Sequence, residues 1–156
     1  MNTVFTKTPL GICKIVGNAN GVTSISICEQ ELASNEIPSA LQEAVEQLRE
    51  YFDGERTTFS LKLSPLGTDF QKKVWLELAN IPYGTTVSYL ELAKKIGDIK
   101  AIRAVANANG KNPLWIVIPC HRVIGTDGSL TGYAGGLPRK RWLLEHENPP
   151  MQQSLF

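Results

Sequence analysis

Ser88-Tyr89-Leu90-Glu91-Leu92-Ala93-Lys94-Lys95-Ile96-Gly97-Asp98, continuing through Ile102 to Asn109-Gly110, is the stretch that decides the fold. Ser88 and Glu91 have the spacing of a capping box, which opens a helix by satisfying two free backbone N–H groups. Leu92, Ala93 and Ile96 supply its apolar face, and Gly97 stops it, because glycine accepts the left-handed conformation at a helix end. Asp98 can cap a second helix that runs to about Asn109-Gly110. Two short helices around a glycine turn predict a helix-turn-helix. On the second helix, Ile102, Val105 and Ala106 are predicted to face the core. Lys100, Arg103 and Asn107 lie nearly opposite, and Ala101, Ala104 and Ala108 keep the helix slim. That polar face is either a solvated surface or one able to approach a groove closely.

Working towards the N-terminus, Thr68 and Gln71 form another capping box, with Phe70, Val74 and Leu78 as the predicted buried stripe. Ile81-Pro82-Tyr83-Gly84 breaks that helix. The first third reads as β then α. Val4–Lys7, Ile12–Gly17 and Val22–Cys28 are strand-like runs separated by turn residues such as Asn20-Gly21. Ser39 with Gln42 suggests a further capping box, followed by Leu41, Val45, Leu48 and Phe52 at helical spacing, and Gly54 closes the pattern. Working the other way, Leu114–Ile118 reads as a short apolar strand, Asp127-Gly128 as a turn, and Gly132-Tyr133-Ala134-Gly135-Gly136 as a loop of little bulk. Pro138 suits the first turn of a last helix carrying Trp142, Leu143 and Leu144. Pro149-Pro150 ends it.

The predicted class is α+β: a small N-terminal antiparallel sheet with a helix (1–62), packed on a mainly helical domain with a winged helix-turn-helix-like motif (63–147), then a tail (148–156). A chain of 156 residues, 42% hydrophobic, can bury a real core. The net charge of +1 gives no bulk signal for nucleic acid, so such a partner must be read from local basic residues. Three cysteines, Cys13, Cys28 and Cys120, fit a reducing compartment better than a disulfide framework. With two histidines and no Cys-x-x-Cys spacing, no metal site is expected. No apolar run reaches the ~20 residues that span a bilayer, and the N-terminus lacks a secretory pattern. A cytoplasmic protein is expected.

Chemistry concentrates in Ile118-Pro119-Cys120-His121-Arg122-Val123. A thiol is a strong nucleophile as its thiolate, and a neighbouring imidazole and arginine are expected to favour that form. The pair Cys120-His121 leaves three readings open. It is a buried structural cysteine, a hydrolase dyad, or a thiol that accepts a group permanently. Neighbouring side chains on a strand face apart, so a direct dyad requires a turn or helix at this point.

Taken with Asn112-Pro113, Gly132-Tyr133-Ala134-Gly135-Gly136 and Trp142-Leu143-Leu144-Glu145-His146-Glu147, this run resembles the O6-alkylguanine-DNA alkyltransferases. Ile81-Pro82-Tyr83-Gly84, Val87-Ser88-Tyr89 and Arg103-Ala104-Val105 match the same family in order and spacing. The resemblance is close over about residues 58–147. It implies DNA repair by irreversible, stoichiometric transfer of an alkyl group from O6 of guanine, and possibly O4 of thymine, to Cys120, with no cofactor.

It implies that His121 accepts the thiol proton through a water, that Glu147 orients the imidazole, that Tyr89 donates to the leaving oxygen, and that Asn112 holds the active-site turn. The damaged nucleotide would be flipped out. Arg103 would fill the vacated stack from the minor groove, with Tyr89, Lys100, Ala104 and Asn107 contacting DNA. Tyr133, Ala134 and Gly135 would line the base pocket, with Trp115 near its mouth. Ala134 stands where many relatives carry serine, so a hydroxyl is missing while the backbone N–H remains. The alternative is a non-enzymatic protein that binds alkyl lesions and recruits other repair factors. A monomer is expected. Finally, Gln152-Gln153-Ser154-Leu155-Phe156 resembles peptides that bind bacterial sliding clamps, and Pro149-Pro150 would hold it extended.

Overall fold

A computed structural model describes residues 1–149. The chain divides into two compact units, residues 1–67 with 113–117, and residues 68–112 with 118 onward.

In the first unit, β1 (Asn2–Thr8), β2 (Gly11–Asn18) and β3 (Gly21–Cys28) form an antiparallel sheet in the order β1-β2-β3. Val4, Ile15 and Ile25 are buried, and Val4 pairs with Ile15 and Ile15 with Ile25 across the strands. The helix α1 (Gln42–Phe52) contributes buried Ala44, Leu48 and Tyr51. The capping box expected at Ser39 is not made. Pro38 precedes a single 3-10 turn, Ser39–Leu41, with no side-chain cap, and α1 begins only at Gln42. Residues 113–117 join this unit through the backbone. Ile25 N–H donates to the Pro113 carbonyl at 2.8 Å and Trp115 N–H to the Ile25 carbonyl at 3.0 Å.

That attachment corrects one expectation. Leu114–Ile118 is not a strand: Leu114 makes a lone parallel bridge with Ile25, and a turn follows. Ile116 has φ 75°, a left-handed conformation that a β-branched residue adopts only at a cost. An extended run would carry the chain straight on; the turn reverses it while Leu114 and Ile116 both stay buried.

The second unit is built from α2 (Asp69–Leu78), α3 (Tyr89–Ile96), α4 (Ile102–Gly110) and α5 (Leu137–Glu147). A two-residue parallel pair, β4 (Val87–Ser88) with β5 (Val123–Ile124), completes it. Both capping boxes form as the residue types require, Thr68 with Gln71 and Ser88 with Glu91. Gly97 ends α3 at φ 107°, and the Asp98 carboxylate accepts from Lys100 N–H. The helix-turn-helix is therefore α3–Gly97–α4. Phe70 does not join the buried stripe of α2. It is 37% exposed in the first turn, and Trp75 takes the core position instead, with Val74 and Leu78. The Trp75 indole N–H donates to the Ala108 carbonyl at 2.8 Å and so fixes the end of α4. Among the described residues, no helix is long and apolar enough to cross a membrane.

Candidate active site

Cys120, His121 and Arg122 form one 3-10 turn, and all three are buried. Because this is a turn, the alternation that would separate neighbouring side chains on a strand does not apply. Asn112, itself buried, closes the loop leading into the turn: its Nδ2 donates to the Ile118 carbonyl at 2.7 Å.

The charges behind the turn are arranged around Glu147, on the last turn of α5. His121 Nε2 lies 2.7 Å from Glu147 Oε2. Arg122 holds the same carboxylate from two atoms, Nε to Oε1 at 2.8 Å and Nη2 to Oε2 at 2.9 Å, while Nη1 donates to the Ile81 carbonyl at 2.7 Å. Gly84 N–H adds a longer contact to Glu147 Oε1, 3.4 Å, and the Tyr83 ring centroid lies 5.7 Å from the guanidinium carbon. The Ile81–Gly84 break after α2 is thus the seat of the ion pair. Gly84 sits at φ 78°, where a Cβ would also come 3.2 Å from the Glu147 carbonyl oxygen.

These contacts set the protonation states. Burial works to raise the Glu147 carboxyl, but hydrogen bonds and positive charge from His121 and Arg122 outweigh it and hold the group well below the usual carboxylate range. Burial lowers the His121 imidazole below its ordinary value, against the pull of Glu147. Arg122 already compensates the carboxylate, so the imidazole is not needed as its counter-charge. A neutral His121 facing a carboxylate carries its proton on Nε2. Nδ1 is then a lone-pair acceptor; it is buried and has no hydrogen-bond partner among the described residues.

The expectation that the imidazole and arginine hold Cys120 as a thiolate is not met at rest. Burial pushes the thiol up to about 11, opposed by the Asn112 side chain and the charge of Lys140. Arg122 is turned to Glu147 instead. At rest, sulfur and imidazole are both neutral, and reaction requires the proton to move between them.

A concavity of about 660 Å³ opens beside α4. Tyr89, Ile102, Arg103, Ala106 and Asn109 line one part and Thr131 to Ala134 another. Ile102 and Ala106, predicted as core, are only half-buried here. Arg103, Ala104 and Asn107 are exposed on α4, and Lys100 is exposed in the 3-10 turn Ile99–Ala101 just before it. Tyr89 Oη donates to the Thr131 carbonyl at 3.2 Å, and the Gly132 carbonyl is at 3.5 Å. Gly135 is half-buried at the start of the turn that enters α5, and its carbonyl accepts from Arg139 Nη1 at 3.1 Å. Trp115 lies in the first unit, in the turn after the Leu114 bridge. The Gln152–Phe156 tail lies outside the described residues.

Two site residues escaped the sequence reading. Lys140 is fully buried, and its Nζ donates to the carbonyls of Val123 at 2.6 Å, Thr131 at 2.7 Å and Gly132 at 3.4 Å. Burial lowers this ammonium to about 8, against the attraction of Cys120. Its spacing to Leu143 and Glu147, three and seven residues on, places all three on one helix face and was the available signal. Asn109, 2% exposed at the end of α4, is the other.

Comparison with known proteins identifies relatives of the whole described chain. Residues 69–149 match the family model described as 6-O-methylguanine DNA methyltransferase, DNA binding domain, and residues 2–65 match its ribonuclease-like domain. A Mycobacterium bovis methylated-DNA–protein-cysteine methyltransferase is 46% identical over 155 residues, covering 95% of this chain and 94% of the relative. The crystal structure of Mycobacterium tuberculosis O6-methylguanine methyltransferase superposes with a TM-score of 0.83 at 45% identity, covering 97% and 96% of the two chains. The Mycobacterium tuberculosis OGT structure in complex with DNA gives a TM-score of 0.84 at 48% identity, covering 92% and 90%.

Proposed function

This chain belongs to the 6-O-methylguanine DNA methyltransferase family, the methylated-DNA–protein-cysteine methyltransferases of DNA repair, and from that premise we propose how its residues carry the reaction. Cys120 takes the alkyl group from O6 of guanine in duplex DNA. The thiol proton passes to His121 Nδ1, through a water, as Sγ attacks the alkyl carbon. The carbon–O6 bond breaks, its electron pair stays on the base, and Tyr89 gives a proton to the departing guanine. Glu147 stabilises the imidazolium that forms, the nucleophile–base–carboxylate logic of a triad. The single observation that carries this reading is the buried chain Arg122–Glu147–His121, which ends, one residue from Cys120, on an Nδ1 without a hydrogen-bond partner among the described residues.

A base inside the stack cannot reach the sulfur of a residue, Cys120, that is 3% exposed, so the nucleotide is flipped into the concavity, at a cost of a few kcal/mol. Arg103 projects from the slim, alanine-rich face of α4 into the minor groove and fills the gap, with Lys100, Ala104 and Asn107 beside it. Tyr133, Ala134 and Gly135 close over the base. The product is a thioether, which water does not cleave, and no cofactor is called for. Each chain therefore acts once, as a monomer in the cytoplasm.

Incubation with duplex DNA containing O6-methylguanine, followed by intact-mass and peptide mapping, tests this reading. One methyl on Cys120 per chain is expected, and none in Cys120→Ser. Many lesions cleared per chain, or clearance by Cys120→Ser, would overturn it; tight binding without mass gain would instead indicate a lesion-marking protein. We further infer that Gln152–Phe156 engages a bacterial sliding clamp, with Leu155 and Phe156 as apolar anchors. A pull-down comparing the full chain with one ending at Pro150 decides this, and equal capture would remove the idea.

A further inference from the structure

The open edge of the three-stranded sheet lies beside an apolar cleft that the reaction does not use. Phe5 in β1 turns its N–H and carbonyl away from β2, and Ser34 takes both. Phe5 N–H donates to Ser34 Oγ at 3.0 Å, and Ser34 N–H to the Phe5 carbonyl at 2.8 Å. Strand groups alternate in direction, so Lys7, two residues on, turns the same groups outward. They have no partner among the described residues. Next to them lies a cleft of about 370 Å³ between β1 and α1, with Ala33, Val45, Leu48 and Phe52 as apolar walls and Thr6 and Thr8 at the strand. Val45 and Phe52 are only half-buried. The exposed Lys7 ammonium makes no ion pair among the described residues. Arg49, the other cation at the cleft, is held by Glu46 at 2.6 Å and Asp53 at 2.7 Å.

An unpaired edge N–H and carbonyl accept a peptide in extended form. A residue placed opposite Lys7 points its side chain to the same face as Lys7, and its two neighbours point to the other face, beside Thr6 and Thr8. That other face is the one the helix covers. Gly17, on the same face as Val4 and Ile15, would bring a Cβ 3.3 Å from the Leu41 side chain, just before α1. The two neighbours therefore enter the cleft. Charge decides the kind of chain. A second copy pairing edge to edge at Lys7 would set two ammonium groups opposite each other, whereas a carboxylate there forms a cross-strand ion pair. We propose that Lys7 and the cleft form a docking site for an extended segment of a partner protein with the pattern apolar–acidic–apolar. The acidic residue exchanges two hydrogen bonds with the Lys7 backbone and pairs with its ammonium, while the apolar residues pack against Val45 and Phe52. Ser34 covers Phe5 and Pro9 has no N–H, so only a short segment is held.

Fluorescence anisotropy with the labelled peptide Thr-Ser-Val-Glu-Val-Ser-Thr tests this. It should bind the wild-type chain saturably, and its isomer Thr-Ser-Val-Val-Glu-Ser-Thr about tenfold more weakly or worse. Lys7→Pro removes the outward N–H without touching a β1–β2 bond, a change that an edge strand tolerates. It should weaken binding on the order of tenfold. Lys7→Gln keeps the N–H, and should bind the peptide and an analogue with glutamine for glutamate alike, within about twofold. Methyl transfer to Cys120, read by mass, should be unchanged in both variants, which shows that they fold and that the site is separate from the chemistry. If Lys7→Pro fails to fold, the Lys7→Gln comparison decides. No saturable binding to wild type, equal binding of the two isomers, binding that survives Lys7→Pro, or a preference for glutamate that survives Lys7→Gln overturns the inference. So does self-association in sedimentation that Lys7→Gln strengthens, the mark of a second copy on the edge. Peptide binding only to a chain ending at Pro150 overturns it too, because the chain's own tail would then fill the cleft.

Discussion

Arg122 grips Glu147 through two hydrogen bonds of 2.8 and 2.9 Å, with their side chains 6% and 1% exposed. The arginine thus serves the carboxylate that faces the histidine, although it belongs to the same turn as the cysteine. A buried carboxylate that loses its counter-charge is expensive. Arg122→Ala should cost about 3–5 kcal/mol in denaturant unfolding. Arg122→Lys, which cannot reproduce the fork, should also be destabilised, by less. A loss under 1 kcal/mol for Arg122→Ala would show that the pair contributes little.

Acid should unfold the protein before it stops the chemistry. The folded-state pKa of Glu147 is depressed below its ordinary 4.5, so its stabilisation is present above that value and is lost as pH falls through the folded pKa. The folded-state pKa of His121 is also depressed, from 6.5. Below 6.5 the unfolded chain binds a proton that the folded chain does not, and stability falls further. The base remains neutral at pH 6.5, so the methyl-transfer rate should hold at and just below that pH, while the urea midpoint declines from 6.5 downward. A rate that halves at pH 6.5 would contradict this.

Lys140→Met should remove the Lys140 donor from the buried Val123 carbonyl, leave the Thr131 carbonyl to Tyr89, and untether the Tyr133 loop. A loss of roughly 1–3 kcal/mol is expected from the buried Val123 acceptor. Faster amide hydrogen exchange across residues 129–136 should accompany it, with α2 unchanged. Unaltered exchange in that loop would exclude the tether.

Methylated Cys120 should be less stable than the thiol. Because the resting sulfur is neutral, the cause is volume: a methyl is forced into a site 3% exposed. Overpacking of this kind costs about 1–3 kcal/mol, or a few degrees in Tm. An unchanged Tm after complete methylation would count against it.

What could be read from sequence was local. The capping boxes at Thr68 and Ser88 and the glycine stop at Gly97 involve partners three or four residues apart, and they form as written. Ser39 carries the same signature, but Pro38 starts a 3-10 turn there and no box results. Long-range attachments were hidden. Nothing in Leu114–Ile118 announces that Ile25 will take its backbone bonds, so an apolar run looked like a strand. Lys140 went unmarked because burying an ammonium makes sense only once three carbonyls converge on it. The residues around Cys120 were legible as chemistry, but the resting charges were not, since burial and the diversion of Arg122 to Glu147 decide them.

The excursion of residues 113–117 has a consequence for how such a protein can be recombined. A chimaera joined between Gly67 and Thr68 would inherit its hairpin from one parent and the segment bonded to Ile25 from the other. Leu114 and Ile116, 0% and 1% exposed, would then meet a foreign surface. A functional exchange therefore needs two further breakpoints, around Asn112 and Ile118, so that this insert travels with its sheet.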